Sequence, residues 1–481
     1  MARKSTLTQD KVAAYTRLMT KLAMTYVSIG SPDTDLGETE LESLFSGAIA
    51  RVSSDLGSLG AEVFGGAAAT PQNGKVLILP PDGTRYHSKA GFLTDMAYKS
   101  LGSRVGAVMP ALGTHIPMTK EELRRMFPGT PLSLFQPHDW RQDVVELGRL
   151  EAAFVERVTE GCVGYDWPVQ VNRLLRDGGF GLILSIGQVV PHEVVGMANH
   201  AKNLVVGTGG KEAIDKSHFA GATYGMERMM GKTDTPVRAM FDEGLRRFGS
   251  SLPPVLYALT VVGRRNRAEM EAVRTRGDAT PSPLAVRGLY VGFGRECFES
   301  AAALARKVNV DLLDEPVRKA VVYLEPEEFR TTWLGNKAVY RTRMAMADGG
   351  ELLILAPGLE RFGEDRGIDA LIRTHGYRPS AEIRCRVATH PELAGALSAA
   401  AHLIHGSSEG RFTIRYCPGP GVSRTEIEAV GYEWGDLDEA LVRYKPETLD
   451  TGWNTASDGE RFFYIPNPAL GLWAERSRFL D

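Results

Sequence analysis

Between Pro191 and His218 the chain reads PHEVVGMANHAKNLVVGTGGKEAIDKSH, and three side chains in it can do chemistry. His192 and His218 carry imidazoles, the side chain that takes and returns a proton near neutral pH. Lys202 carries an amine able to bond covalently to an electrophilic carbon. Gly207, Gly209 and Gly210 follow it, and a glycine run admits a ligand to the backbone where any Cβ would clash. Lys202 stands ten residues after His192 and sixteen before His218. Neighbours on one helix face fall three or four residues apart, so loops must bring these groups together if they meet. A lone histidine is more often structural than catalytic, and the stretch gains meaning from what precedes it.

Stepping upstream, two further apolar segments run into polar ones. KVLILPP (75–81) leads to Asp82-Gly83-Thr84-Arg85, and SRVGAVMPALG (103–113) to Thr114-His115-Ile116-Pro117-Met118. FGLILSIGQVV (180–190) leads to Pro191-His192 in the same way. Continuous apolar strands alternating with helices predict a parallel sheet covered on both faces. Ligands of such sheets bind beyond the carboxyl ends of the strands. Asp82, Thr84, Arg85, His115 and His192 all occupy that position, after three separate strands. Plainer readings stand beside this one: Asp82 and Arg85 as a surface ion pair of little energy, His115 as a turn cap.

Elsewhere the first seventy residues read as helical, followed by the loop GGAAATPQNG. Further helices are predicted from about Ser88 to Leu101 and over TKEELRRMF, where Thr119 and Glu122 form a capping box. The pattern is weak from Leu252 to about Arg274, and ATPSP (279–283) reads as a connector. A helix around 295–307 is expected to open a second domain. KAVVYLEP (319–326), helical NKAVYRTRMAMADGG and ELLILAP (351–357) form a βαβ unit. After EIRCRVATH come the helix PELAGALSAAAHLIHG and the strand RFTIRYCPG. The expectation is an α/β chain of two domains, 1–290 and 291–481. Each is a mainly parallel sheet flanked by helices, with the active site in the cleft between them.

At 481 residues the chain exceeds one ordinary core. A net charge of −3 and the lack of a basic block argue against nucleic acid. Cys162, Cys297, Cys385 and Cys417 stand far apart, which argues against a zinc site or disulfide framework and fits a reducing compartment. No apolar run approaches the ~18 residues of a membrane span, and the basic N-terminus lacks the apolar segment of a signal peptide. A soluble, cytoplasmic protein is expected.

Taken in order, DGTR, GTHIPM and the His192–Lys202–His218 series resemble the lactate racemase family, which uses a nickel-pincer nucleotide. The resemblance covers most of the chain, least in the first seventy and last sixty residues. It implies that Lys202 carries the nucleotide covalently and that His218 is the nickel ligand, a role imidazole suits. It implies His115 and His192 as the two acid/base groups, one for each face of the substrate. Arg85 would hold the substrate carboxylate, with Asp82 helping to place the nucleotide or Arg85 and Thr84 helping to place the nucleotide. By its distance to Gly349-Gly350, Lys337 corresponds to the family's second-domain lysine near cofactor and substrate. Typical members carry tyrosine and glutamine four and three positions before it; here Trp333 and Leu334 stand there.

The implied activity is racemisation or epimerisation of a small-molecule 2-hydroxy acid by proton-coupled hydride transfer, with separate maturation proteins supplying the cofactor. The changed wall at Trp333 and the length of the chain point to C2 epimerisation of an aldonic acid such as D-gluconate, with lactate or another short hydroxy acid as the alternative. Two other classes stay open: a Schiff-base lysine enzyme, such as a pyridoxal-phosphate protein, and a non-catalytic hydroxy-acid or nucleotide binder. His138 reads as a packing residue with a lesser chance of reaching a polyol. His200 reads as structural, and His375, His390, His402 and His405 have no matching partners in the motif. The 360–365 run ERFGED reads as a solvated loop.

Overall fold

A computed structural model describes residues 24–64, 74–275 and 282–479. The chain divides into two compact units, residues 1–214 with 233–308, and residues 215–232 with 309–481. The N-terminal end of the predicted first helical region, the GGAAATPQ segment and most of ATPSP lie outside the described residues.

The strands of the first unit are β1 (Thr25–Gly30), β2 (Lys75–Leu79), β3 (Val105–Val108), β4 (Val144–Leu150), β5 (Trp167–Asn172), β6 (Phe180–Gln188), β7 (Pro191–His192), β8 (Gly196–Met197), β9 (Val255–Arg264) and β10 (Leu284–Gly292). Six of them form one sheet in the order β1-β10-β9-β6-β2-β3. The pairs β3/β2, β2/β6 and β6/β9 are parallel, while β10 is antiparallel to both β9 and β1. The carboxyl ends of β2, β3, β6 and β9 therefore share one edge, as the apolar runs predict for the first three.

Helices cover both faces. Leu41, Phe45, Ile49 and Val52 of the Glu38–Phe64 helix and Leu93 and Ala97 of the Ala90–Leu101 helix pack in one core with Ile78, Val108, Leu184 and Ala258. On the opposite face the Arg295–Asn309 helix sits close because glycines leave room. A Cβ on Gly263 would lie 2.1 Å from Val308, and one on Gly288 2.8 Å from Leu304.

The structure departs from the sequence reading in three places. TYVSIG is the strand β1 within the region read as helical; six residues are too few to impose a period against the helix that follows. β9 and the Arg267–Thr275 helix fill the stretch without a clear pattern, and β9 is buried on both faces, so it has no alternation to read. The expected boundary at 290/291 falls inside β10, which is hydrogen-bonded to β9 and β1. The Arg295–Asn309 helix, expected to open the second domain, packs on the first sheet through Leu304 and Val308.

The second unit contains β11 (Val310–Leu313), β12 (Val317–Tyr323), β13 (Met346–Ala356), β14 (Thr413–Pro418), β15 (Glu433–Trp434), β16 (Gly452–Thr455), β17 (Arg461–Ile465) and β18 (Leu472–Glu475). Its main sheet runs β15-β14-β13-β12-β17-β16 and is parallel except for β16. The βαβ unit is present, β12 and β13 enclosing the short helices Thr332–Gly335 and Lys337–Tyr340, with ADGG belonging to β13 rather than to a helix. Ala440 and Tyr444 of the Leu437–Tyr444 helix pack on Val321, Leu353 and Cys417. PELAGALSAAAHLIHG is two helices, Pro391–Ala394 and Leu397–His405, broken at Gly395.

Candidate active site

The loops after β2, β3 and β6 meet at the carboxyl edge of the first sheet. Pro81 pairs with Ala111 in a parallel bridge, and the Gly113 N–H donates to the Gly207 carbonyl at 2.9 Å. Asp82 begins the first loop. Its carboxylate accepts from the Thr84 N–H (3.2 Å) and hydroxyl (2.5 Å), capping the one-turn helix Gly83–Ser88 on which Arg85 lies half-buried. The same buried carboxylate accepts from His115 Nδ1 at 2.6 Å. Burial pushes the Asp82 acid up, but the hydrogen bonds and charge of His115 and the Thr84 bonds outweigh it, leaving the group below the ordinary range. Because Nδ1 of His115 donates to Asp82, its Nε2 is left as the acceptor on an exposed ring.

His192 pairs with Gly196 in the β7–β8 hairpin and is 7% exposed. Its Nδ1 accepts the Val194 N–H at 3.1 Å, so the neutral ring carries its proton on Nε2. The Glu193 carboxylate lies 3.6 Å from the same Nδ1.

Lys202 stands on the short helix Ala201–Val205. The next residue holds that helix in place: Asn203 donates to the Leu79 carbonyl at the end of β2 (3.3 Å) and to Ser185 of β6 (2.9 Å). Desolvation, then the nearby Arg85 guanidinium, lower the Lys202 amine to about 8, with Arg238 acting in the same sense and Glu193 and Asp82 opposing. The turn before it is strained, with Asn199 at φ 72° and His200 at φ 58°, conformations that non-glycine residues rarely adopt. Buried Arg238 holds that turn, donating to the carbonyls of Asn199 (3.1 Å) and Met197. The His200 ring stacks between Tyr257 (4.3 Å) and Phe298 (5.2 Å), in keeping with the structural role read for it.

Two expectations change. The glycine run is packed against the protein itself. A Cβ on Gly207 would meet the Asn203 carbonyl at 2.3 Å, on Gly209 the Val205 carbonyl at 2.1 Å, and on Gly210 the Gln170 side chain at 2.5 Å. These glycines allow the chain to turn tightly behind Lys202, and this close packing rather than ligand approach accounts for them. His138 is one of the clamps on this turn: buried, it contacts the Gly209 carbonyl through Nε2 (3.0 Å) and Asn172 through Nδ1 (3.0 Å), which leaves no ring nitrogen for a polyol. His218 lies within the Lys211–Tyr224 helix, not on a loop, in the part that counts with the second unit.

In the second unit, Lys337 opens the Lys337–Tyr340 helix with its Nζ 5.5 Å from the Phe329 ring centre. Trp333, four residues before, is half-buried and lies 4.3 Å from His402, whose Nε2 bonds the Tyr377 hydroxyl. His402 thus has partners that the sequence did not disclose. The sequence reading also missed Glu193, Asn203 and Arg238; adjacency to His192 marks Glu193 and adjacency to Lys202 marks Asn203, while nothing marks Arg238.

Among the described residues no cluster of three or more His, Cys, Asp or Glu side chains is placed to hold a metal, and no helix is long and apolar enough to cross a membrane. The nickel nucleotide that the resemblance implies, with one protein imidazole as its ligand, would need no such cluster. The first unit does suit the nucleotide: the Lys202 amine is lowered to about 8, and Gln188 Oε1, at the end of β6, is buried without a hydrogen-bond partner among the described residues.

Residues 67–230 match the family model described as lactate racemase N-terminal domain. A crystal structure of a Thermotoga maritima protein is similar, with a TM-score of 0.71 at 23% identity over 92% of this chain and 99% of that one. The lactate racemase apoprotein from Thermoanaerobacterium thermosaccharolyticum is similar at TM-score 0.61 and 14% identity, over 88% of this chain and 93% of that one. These likenesses are of fold. No curated protein matches the chain in sequence.

Proposed function

We propose that the chain is a racemase or epimerase of 2-hydroxy acids that carries a nickel-pincer nucleotide on Lys202. The observation that carries this reading is the Lys202 amine, lowered to about 8 and pinned beside Arg85, Glu193 and Asp82 at the carboxyl edge of the parallel sheet, within residues that match the lactate racemase N-terminal domain. The bound nucleotide supplies a centre that accepts and returns hydride. The protein's own groups do the rest. Arg85, half-buried on the Asp82-capped turn, binds the substrate carboxylate. His115, with Nδ1 on Asp82, offers Nε2 as the base for the hydroxyl proton. His192 presents Nε2–H to the oxygen of the opposite isomer. His218 serves as nickel ligand, and Lys337 and Trp333 contribute to binding of cofactor and substrate.

Within this class we favour C2 epimerisation of an aldonic acid. Trp333, backed by His402, is a stiff half-buried ring whose indole N–H can donate to a hydroxyl, and buried unpaired hydroxyls would otherwise cost ~1–3 kcal/mol each. The test uses chain matured with the nickel-nucleotide machinery, checked by intact mass and nickel content. It is offered C2-deuterated lactate, malate, D-gluconate and D-mannonate. Loss of C2 stereochemistry with deuterium kept on carbon is expected for the aldonic acids. Activity on lactate alone would discard the substrate but keep the reaction class, and an adduct-bearing protein inert to all would discard both.

A further inference from the structure

His115 and His192 are both assigned to proton exchange, and on His115 the Asp82 carboxylate accepts from Nδ1 at 2.6 Å. On His192 the corresponding nitrogen is occupied by a donor, the Val194 N–H at 3.1 Å. The ring therefore cannot take a second proton on Nδ1 without losing that bond, because two donors would face each other. An acceptor is already in place: Glu193 Oε2 lies 3.6 Å from Nδ1 on a side chain only 19% exposed. Glu193 is also one of the carboxylates that hold charge on Lys202. The charges gathered here are Glu193 itself, Lys202 on the next helix, Arg85 and Asp82 from the loop after β2, and Arg238 from the Pro236–Phe248 helix.

We propose that Glu193 is a positioning residue: it receives the Nδ1–H of His192 when the ring becomes doubly protonated, replacing the Val194 N–H. The same carboxylate also favours the charge on Lys202. Conversion of the Lys202 ammonium to any neutral form leaves Glu193 to His192 and favours the doubly protonated ring. This extends the acid/base role given to His192 above, but it is read on the chain without cofactor, so either can fail while the other stands.

The experiment is a pH titration of the His192 ring nitrogens by 15N NMR in the full chain, with amine labelling of Lys202 followed by mass spectrometry. Wild type, Glu193→Gln, Glu193→Asp and Lys202→Met are compared. Removing an opposite charge at this separation is expected to lower the His192 midpoint by about one unit or more, and to move Lys202 labelling to lower pH. Lys202→Met is expected to raise the His192 midpoint. Glu193→Asp, which keeps the charge one methylene back, should restore part of both shifts and stands in if the Gln variant does not fold. His192 and Lys202 midpoints in Glu193→Gln that both stay within 0.3 unit of wild type would overturn the proposal. So would a doubly protonated His192 whose Nδ1 proton is unchanged by either substitution.

Discussion

A lysine kept at about 8 is a stability defect of predictable size and pH dependence. Lys202 titrates near 10.5 when unfolded and near 8 when folded, the difference arising first from desolvation and then from Arg85. Below pH 8 it is protonated in both states, so the full penalty applies: 2.5 units at 1.36 kcal/mol each is about 3 kcal/mol. Between 8 and 10.5 the unfolded chain holds more protons than the folded one, so stability rises with pH. Above 10.5 the amine is neutral in both states and the penalty is gone. Lys202→Met keeps the stem and removes the charge, and should therefore stabilise the chain by ~2–3 kcal/mol at pH 7, by roughly half that at pH 9.5, and hardly at all at 10.5. Urea unfolding of wild type and variant at these three pH values, with m unchanged, measures it. A variant no more stable at pH 7, or one whose advantage does not change with pH, would refute the argument, because packing alone has no such pH dependence.

Other substitutions test the rest of the site. His138→Ala removes a buried ring and orphans Asn172 and the Gly209 carbonyl, so it should cost ~2–4 kcal/mol in urea unfolding. Asp82→Asn replaces the charged acceptor of His115 Nδ1 by a neutral one and should cut turnover of nucleotide-loaded protein ~10- to 100-fold with nickel content unchanged. His218→Ala should lower bound nickel while leaving the fold intact, since alanine sustains the Lys211–Tyr224 helix at least as well; unchanged nickel would remove His218 from the metal.

What the sequence disclosed was tied to period and to punctuation. Apolar runs ending in polar loops gave away β2, β3 and β6 and so placed Asp82, His115 and His192 on one edge, and the Thr119–Glu122 capping box formed as read. β9 and β10 were hidden because β9 runs into Arg264-Arg265 rather than into a turn, and Arg287-Gly288 interrupts the apolar run of β10. The glycine run was legible as a special backbone but not as to cause: only coordinates distinguish a glycine that faces a ligand from one pressed against the Asn203 and Val205 carbonyls. Asn199 and His200 mislead more deeply. Nothing in ANHAK marks two consecutive residues with positive φ, because the strain is sustained by Arg238, Tyr257 and Phe298, 38 or more residues away in sequence.

That strain bears on how Lys202 works. An amine on a freely solvated loop would keep its ordinary basicity and stay protonated at neutral pH. Here three separate elements act on one short helix: Asn203 ties it to the end of β2 and to Ser185 of β6, Arg238 closes the turn before it, and the packed glycines close the turn after it. The amine is thereby held out of water and next to the Arg85 guanidinium, the two causes that lower it most. At pH 7.5 a lysine at 8 is about one-quarter neutral, against roughly one part in a thousand for an ordinary lysine. The rigid frame therefore raises the reactive fraction some two hundred-fold before any partner or cofactor arrives, which is what a covalent anchor requires and a surface lysine cannot supply.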